Sequence, residues 1–381
     1  MLRCNILTIF LAFSLLAGAQ EWKVVREHPQ KAFPKTVAVG NYSGIAHLHD
    51  DIYAVVSDKS DSALYFNFRI QVNPKTGELE QVENLGFTER TDGTLNDAKP
   101  WQGQEKGFDH EAIVKVSDST LVIASEGYCR LKEYPILPTS ADAAKVGYQQ
   151  NLWESRWPSA DFYPNYNFES LAFDSVRQYL WTIPESALRK DGQPATPQNG
   201  LANQLRLMRL DWGKIKENRN KEGYSEQVSS KKDSRYMMTY AYQMDQPSTH
   251  KKADIYVMGV SELCALPDGQ LLVLEREAFI PKIKIGAFCK CKLYLVNPLN
   301  SEEFSMKENI SSDTPFLKKK LLTEWKTGLS LSKRSFANYE GMCLGPKLED
   351  GSQVVILLSD SQDQYAGVLK DWFKTIVIRK E

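Results

Sequence analysis

The chain has 381 residues, of which 42% are hydrophobic and 25% are charged, proportions that are typical of a soluble globular protein. Its 47 Lys and Arg residues nearly balance its 48 Asp and Glu residues, which gives a net charge of -1. Because there is no basic excess to neutralise a run of phosphates, we predict that the protein does not bind nucleic acid.

The N-terminal residues have the pattern of a secretory signal peptide. Arg3 precedes an apolar run from Ile6 to Ala17, and Ala17-Gly18-Ala19 follows as a small-residue cleavage site. We therefore predict a signal peptide over residues 1–19, a mature domain over residues 20–381 and a secreted or periplasmic location. The alternative is a buried N-terminal helix. The apolar run is too short to cross a bilayer, so we expect no membrane span after cleavage.

Five cysteines remain after the predicted cleavage, and an odd number cannot all pair within one chain. Cys264 and Cys343 lie in apolar, strand-like runs and are interpreted as small core residues. Cys289 and Cys291 lack the spacing of a zinc knuckle or a redox pair.

Five segments of the chain share one β-hairpin pattern. Each has an apolar stretch, a turn rich in Asp, Gly, Ser or Asn, a second stretch of Val, Ile, Leu, Tyr or Trp, and then an acidic residue. Further strand-like runs between the hairpins supply material for two outer strands in each repeat. The segments begin at Tyr42, His110, Phe168, Ser261 and Tyr339.

Long helical periodicity is absent, which argues against an α/β barrel. We predict an all-β fold, a single β-propeller of five or six blades. The run from Trp372 to Lys380 is expected to pair with the run from Trp22 to His28, so that the N- and C-terminal strands close the ring. A sixth blade would lie between Glu169 and Glu262 or between Glu83 and Lys106. Two separate β-sandwiches are the alternative.

The repeats carry acids that core packing does not require. In an antiparallel hairpin, the first residue of one strand lies beside the last residue of the other. The opening positions of the five hairpins are Ser43, Glu111, Glu169, Glu262 and Glu340, and the closing positions are Asp58, Glu126, Glu185, Glu275 and Asp360.

If each hairpin forms the inner strands of a blade, these acids converge at one mouth of the central channel. Crowded carboxylates raise one another's pKa, and protonation, basic residues or hard cations such as Ca²⁺ or Mg²⁺ relieve the repulsion. The other interpretation is that individual acids cap loops or pair with arginine. The basic residues that follow the closing acids are Lys59, Arg130, Arg189 and Arg276.

Several common chemistries lack their motifs. The chain has no GxSxG nucleophile elbow, no HExxH zinc motif, no P-loop and no GxGxxG dinucleotide site. We therefore expect no organic cofactor. Turn-rich polar segments that contain Trp101 and Arg189 are weaker candidates for substrate contacts, because such loops often shape the pocket over a propeller channel.

The repeat motifs resemble a known family, the secreted proteins described by an esterase-like activity of phytase. The resemblance covers nearly the whole mature chain. It rests on SGIA from Ser43 with SDK from Ser57, DHEAI from Asp109 with SEG from Ser125, NFESLAF from Asn167 with PESAL from Pro184, LEREA from Leu274 and NYEGM from Asn338.

The resemblance implies a secreted β-propeller that hydrolyses phosphate or other esters. By likeness to propeller phytases, Ca²⁺ would be held by Glu111, Glu169, Glu262 and Glu340, a water would attack phosphorus, and Arg130 or Arg276 would stabilise the developing charge. Glu111 and Glu169 are thus candidate catalytic residues, and the substrate would be a small ester or phosphoester. A lactonase-like carboxyl-ester hydrolase and a non-catalytic binding propeller are the alternatives.

Overall fold

The computed structural model describes residues 21–60, 63–89, 95–96, 109–136, 152–222, 234–330, 332, 334–361 and 369–381. The predicted signal peptide and Trp101 lie outside these ranges. Within them the fold is all-β, as the sequence predicted, with five antiparallel sheets and one α-helix.

The strands follow one another sheet by sheet. The chain starts with β1 (Trp22–Glu27) and β2 (Lys31–Ala32). Sheet 1 contains β3 (Tyr42–His49), β4 (Ile52–Ser57), β5 (Ala63–Val72), β6 (Leu79–Glu89) and β7 (Leu95–Asn96). Sheet 2 contains β8 (His110–Lys115), β9 (Thr120–Ser125), β10 (Arg130–Pro135) and β11 (Glu154–Arg156).

Sheet 3 contains β12 (Ala172–Asp174), β13 (Tyr179–Thr182), β14 (Gln204–Asp211) and β15 (Met237–Gln243), with helix α1 (Trp212–Glu222) after β14. Sheet 4 contains β16 (Ile255–Ala265), β17 (Leu271–Ile280), β18 (Phe288–Val296) and β19 (Lys319–Gly328). Sheet 5 contains β20 (Asn338–Lys347), β21 (Gln353–Asp360) and β22 (Trp372–Lys380), and β1 and β2 both pair with β22.

The second strand of each sheet is the most apolar part of its repeat. All residues of β9 and β21 are buried, and so are all but the last residue of β17. A strand that is buried on both faces has a continuous run of apolar residues rather than an alternation of apolar and polar residues. These sheets are therefore covered on both sides.

The first strands of the sheets contact one another in a cyclic order. β3 contacts β8, β8 contacts β12, β12 contacts β16, β16 contacts β20, and β20 contacts β3. A cavity of about 220 Å³ lies among these strands. Its walls include apolar residues from each first strand, among them Ile45, Ile113, Ala172, Leu263 and Met342.

The hydrophobic core has five parts, and each part lies between two sheets. Sheets 1 and 2, sheets 2 and 3, and sheets 3 and 4 each share one apolar cluster. A fourth cluster joins sheets 4 and 5, and a fifth joins sheet 5 to sheet 1. The sheets are therefore held to one another mainly by the burial of apolar side chains.

The predicted pairing of the chain ends is confirmed. β1 is antiparallel to β22, with register pairs from Trp22–Lys380 to Glu27–Ile376. Among the described residues, no helix is long and apolar enough to cross a membrane. The five cysteines of this part of the chain are buried and form no disulfide, in agreement with the core role predicted for Cys264 and Cys343.

Candidate functional site

The first hairpin of every sheet has the same irregularity, one extra residue in or just before its first strand. In sheets 1, 2, 4 and 5 the strand register shifts by one residue, which is the signature of a β-bulge. In sheet 3 the pairs Phe168–Pro184 and Ala172–Trp181 enclose one extra residue on the first strand. The bulges thus provide a common frame for comparing the five sheets.

Three positions relative to the bulge carry polar side chains in the five sheets, with one glycine as the exception. The pre-bulge position holds Asn41, Asp109, Asn167, Gly259 and Asn338. The bulge position, two residues later, holds Ser43, Glu111, Glu169, Ser261 and Glu340. The cross-strand position, opposite the pre-bulge residue, holds Asp58, Glu126, Glu185, Arg276 and Asp360.

Comparison of positions relative to the bulges corrects the predicted alignment in sheet 4 by one residue on each strand. The bulge residue is Ser261 rather than Glu262, and the cross-strand residue is Arg276 rather than Glu275. Glu262 accepts hydrogen bonds from the backbone N–H groups of Leu171 and Leu263, both at 2.9 Å. Because successive residues of a strand face opposite sides, a shift of one residue changes which side chain faces the site.

Glu275 lies in a separate polar network. Its carboxylate accepts hydrogen bonds from the Tyr242 hydroxyl and the Lys319 ammonium, each at 2.6 Å. The structure therefore does not bring Glu262 or Glu275 together with the other predicted acids in the way that the sequence alignment implied.

Five carboxylates from sheets 1, 2 and 3 and the segments that flank their strands form the acidic cluster. Oxygens of Asp58, Asp109 and Glu111 lie within 4.8 Å of one another, and so do oxygens of Glu111, Glu126 and Glu169. Glu111 belongs to both groups and joins them.

The backbone before the bulge has a left-handed conformation in two sheets. Asn41 and Asp109 have φ values of 47° and 55°, which Asn and Asp adopt more readily than most residues. This conformation sets the chain direction into the bulge.

The acidic cluster strongly favours protonation in the absence of a cation. Burial, followed by repulsion from neighbouring carboxylates, raises the pKa of Glu111 and Glu169 well above the ordinary value. Burial and the nearby Asp360 do the same for the pKa of Asp58. For Glu126, burial and repulsion from Asp109 and Glu185 raise the pKa to about 7.

The hydrogen bonds inside the acidic cluster leave ligand oxygens available. Ser43 donates its hydroxyl hydrogen to Glu111 at 2.8 Å, and the backbone N–H of Asn167 donates to Glu126 at 3.1 Å. Glu169 is only 8% exposed, yet no hydrogen bond to its carboxylate is found among the described residues. Five crowded carboxylates fit a hard divalent cation such as Ca²⁺, which prefers oxygen ligands.

Arg276 pairs with two further acids, Glu185 and Glu340. Its guanidinium donates hydrogen bonds to Glu185 of sheet 3 and Glu340 of sheet 5, and to the Asn338 side-chain oxygen at 3.0 Å. Arg276 is 4% exposed, so these bonds form away from bulk water. Burial and the nearby Asp360 raise the pKa of Glu340 to about 8, although Arg276 opposes the increase.

Two of the other predicted residues, Lys59 and Asp360, lie beside these acids, whereas the contacts of Arg130 and Arg189 described below are with other residues. The Lys59 ammonium is 3.7 Å from Asp58, and Asp360 is close enough to raise the pKa of Asp58 and Glu340. Arg130 pairs with Glu154 at 3.9 Å and stacks on the ring of Tyr128. Arg189 donates a hydrogen bond to the carbonyl of Phe162 at 2.7 Å and stacks on Tyr163.

The sequence alignment overlooked the pre-bulge position. Asp109 supplies a carboxylate to the acidic cluster, and Asn338 accepts a hydrogen bond from Arg276. The signal for this position was the recurrence of Asn or Asp two residues before the bulge in four of the five repeats. An apolar residue follows the bulge by two positions, as in Ile113 and Leu263. Matching this residue would have given the correct alignment in sheet 4.

Comparison with solved structures gives distant likenesses. A streptogramin B lyase is 10% identical with a TM-score of 0.32, and the match covers 93% of this chain and 98% of the lyase. A luciferin-regenerating enzyme is 10% identical with a TM-score of 0.36, covering 94% of this chain and 95% of the enzyme. The β-propeller domain of Cps50 (Swd1) from Myceliophteria thermophila is 8% identical with a TM-score of 0.29, covering 92% of this chain and 99% of that domain.

A search of curated proteins gives no match. The family model described as esterase-like activity of phytase matches residues 37–362, a range that includes the acidic cluster and Arg276. The chain therefore belongs to the phytase-like family.

Proposed function

We propose that this protein is a secreted, calcium-dependent hydrolase of phosphate or other esters and that the acidic cluster is its metal site. The observation that carries the proposal is Glu169, whose carboxylate is 8% exposed and lies within 4.8 Å of two other carboxylates without a hydrogen-bond donor among the described residues. A carboxylate in such surroundings needs a proton or a cation. Membership of the phytase-like family favours the ester-hydrolase interpretation.

We further propose that the five sheets are the blades of one closed propeller. The cyclic contacts between first strands and the apolar cluster between sheets 5 and 1 support closure, and they favour a propeller over two separate β-sandwiches. Pairing of β1 with β22 supplies the fourth strand of the last blade. Secretion is supported by the pattern of residues 1–19.

In the proposed mechanism, Glu111 joins the two halves of the acidic cluster, and Asp58, Asp109, Glu126 and Glu169 would supply the remaining protein ligands. A calcium ion held there would supply positive charge to attract an anionic ester and to stabilise its developing negative charge. Ser43 orients Glu111 through its hydrogen bond. Glu262 and Glu275 are not included, because they lie in other hydrogen-bond networks.

The proposal predicts calcium-dependent turnover that requires Glu169. The mature protein would be assayed with phytate, an aryl phosphate and an aryl acetate, each in calcium and in chelator. Glu169→Gln should lower kcat/KM by about 100-fold or more, because a metal contributes several kcal/mol to transition-state stabilisation.

Glu133→Gln is the matched control. Glu133 is a buried glutamate of β10 that pairs with Lys216 at 2.8 Å outside the acidic cluster, so this variant should retain wild-type turnover. Hydrolysis of only the acetate would favour a lactonase-like carboxyl-ester hydrolase. Failure of the folded wild-type protein to hydrolyse any of the three substrates would count against the ester-hydrolase proposal and favour a binding propeller.

A further inference from the structure

The cross-strand position changes the sign of its charge in one sheet. Four sheets place an acid there, namely Asp58, Glu126, Glu185 and Asp360, whereas sheet 4 places Arg276 there. The register pairs Gly259–Arg276 and Asn338–Asp360 establish that the two residues occupy equivalent places. The fourth sheet therefore presents a cation where its neighbours present carboxylates.

The guanidinium of Arg276 contacts the acids that flank it on both sides. It donates hydrogen bonds to Glu185, the cross-strand residue of sheet 3, and to Glu340, the bulge residue of sheet 5. The Asn338 oxygen accepts a third bond at 3.0 Å. Two carboxylates and one amide oxygen thus surround one buried positive charge, a donor set that would also suit a hard divalent ion.

Two other residues of sheet 4 are adapted to this arrangement. At the pre-bulge position, a Cβ atom on Gly259 would lie 2.3 Å from the Cγ of Glu185, so only glycine leaves room for the Glu185 side chain. At the bulge position, Ser261 replaces the glutamate of sheets 2, 3 and 5, which removes one negative charge. All three positions of sheet 4 therefore differ together from those of sheets 2, 3 and 5.

The interface between sheets 2 and 3 provides the comparison. There the cross-strand residue is Glu126, and it lies with Glu111 and Glu169 in a group of three carboxylates. Glu126 and Glu169 occupy the strand positions of Arg276 and Glu340, so the cross-strand residue carries opposite charge at the two locations. The third acid differs in position: Glu111 is a bulge residue, whereas Glu185 is a cross-strand residue. The carboxylates between sheets 2 and 3 need a proton or a cation, whereas the acids beside Arg276 already contact a positive charge.

We propose that Arg276 is a built-in cation that occupies the place of a metal ion between sheets 3 and 5 and restricts metal binding to the acidic cluster. This inference rests on the proposed metal site. It implies that removal of the guanidinium creates an additional divalent-cation site at Glu185, Glu340 and Asn338. It also assigns Arg276 a positioning role, because its hydrogen bonds are directed to protein acids.

The test compares Arg276→Met with the wild-type mature protein. Calcium would be titrated by calorimetry to give the number of bound ions, and the thermal midpoint would be measured in calcium and in chelator. We expect Arg276→Met to bind one more ion than the wild type and to show a larger increase of the midpoint on calcium addition. Arg209→Gln, which removes a cation paired with Glu303 at 3.1 Å, should leave the ion number unchanged.

A second variant keeps the inference testable if the first is unstable. Arg276→Met combined with Glu340→Gln removes one charge of each sign, so this protein should fold in chelator and bind the wild-type number of ions. An unchanged ion number in Arg276→Met would overturn the inference, and so would a variant that stays unfolded in calcium, because the ion would then not replace the guanidinium. If the wild type binds no calcium, the proposed metal site itself fails.

Discussion

Glu126 illustrates how the fold changes the behaviour of a single carboxyl group. Its ordinary pKa is 4.5, and burial together with Asp109 and Glu185 raises it to about 7 in the folded protein. Below pH 4.5 the group is protonated in both the folded and the unfolded chain. Between pH 4.5 and about 7 the unfolded chain loses the proton while the folded chain keeps it, so the free energy of unfolding decreases as pH rises.

This shift predicts a pH-dependent advantage for Glu126→Gln in chelator. The variant keeps a polar side chain but has no proton to lose, so it should become more stable than the wild type as pH rises through this window. We expect the difference in free energy of unfolding to reach roughly 1–3 kcal/mol above pH 7. Urea denaturation of both proteins between pH 4 and pH 8 measures it.

Calcium is the internal control for this prediction. Because a bound cation stabilises the ionised carboxylate, saturating calcium should remove the advantage of the variant at high pH. If the free energies of unfolding of the two proteins change in parallel with pH in chelator, the raised pKa of Glu126 is contradicted.

At the scale of a strand, the sequence predicted the hairpins well and one alignment poorly. Apolar runs that end in turns and acids identify β8 with β9 and β20 with β21, because burial on both faces imposes a continuous apolar pattern. In sheet 4, an acid lies one residue away from the bulge position and another lies one residue away from the cross-strand position. An alignment that matches acids therefore selects Glu262 and Glu275. The location of a β-bulge depends on strand pairing, which composition alone does not reveal.

The first strands also approach one another closely just after the bulge. A Cβ atom on Gly341 of β20 would lie 2.6 Å from the backbone oxygen of Ser43 on β3, and one on Gly44 would lie 2.7 Å from the backbone oxygen of Glu111. Backbone atoms cannot move aside as a flexible side chain can. Small residues at this level therefore let β3 approach β8 and β20.

This close approach predicts that Gly341→Ala destabilises the protein. The added methyl group should force β20 and β3 apart and lower the free energy of unfolding by about 1–3 kcal/mol, the usual cost of overpacking. Gly213→Ala is the control, because a Cβ atom there lies 3.5 Å from its nearest neighbour and alanine favours helix α1. Equal denaturation midpoints for the two variants would argue against a steric constraint between the first strands.

At the scale of the whole molecule, the two ends of the chain meet in one sheet. Hairpin repetition predicted this architecture because each sheet must bury its faces against neighbouring sheets. The sequence could not predict which sheet would supply a cation, since the contact of Arg276 with Glu185 and Glu340 joins residues that are 91 and 64 positions apart. Such contacts become visible only when sheets 3, 4 and 5 are placed side by side.

Removal of residues 20–32 from a chain that starts at residue 20 tests how the two chain ends are joined. The deletion takes away β1 and β2, both partners of β22, and it removes Trp22, which is 9% exposed in the core between sheets 4 and 5. Loss of the Trp22 side chain alone removes about 2–3 kcal/mol of burial energy, so the thermal midpoint should fall markedly. A synthetic peptide of residues 20–32 should restore it by pairing with β22, whereas a scrambled peptide should not. If the truncated protein melts at the same midpoint as the chain that keeps residues 20–32, pairing of β1 with β22 does not stabilise sheet 5. An unpaired β22 edge and an exposed core would then have no measurable cost.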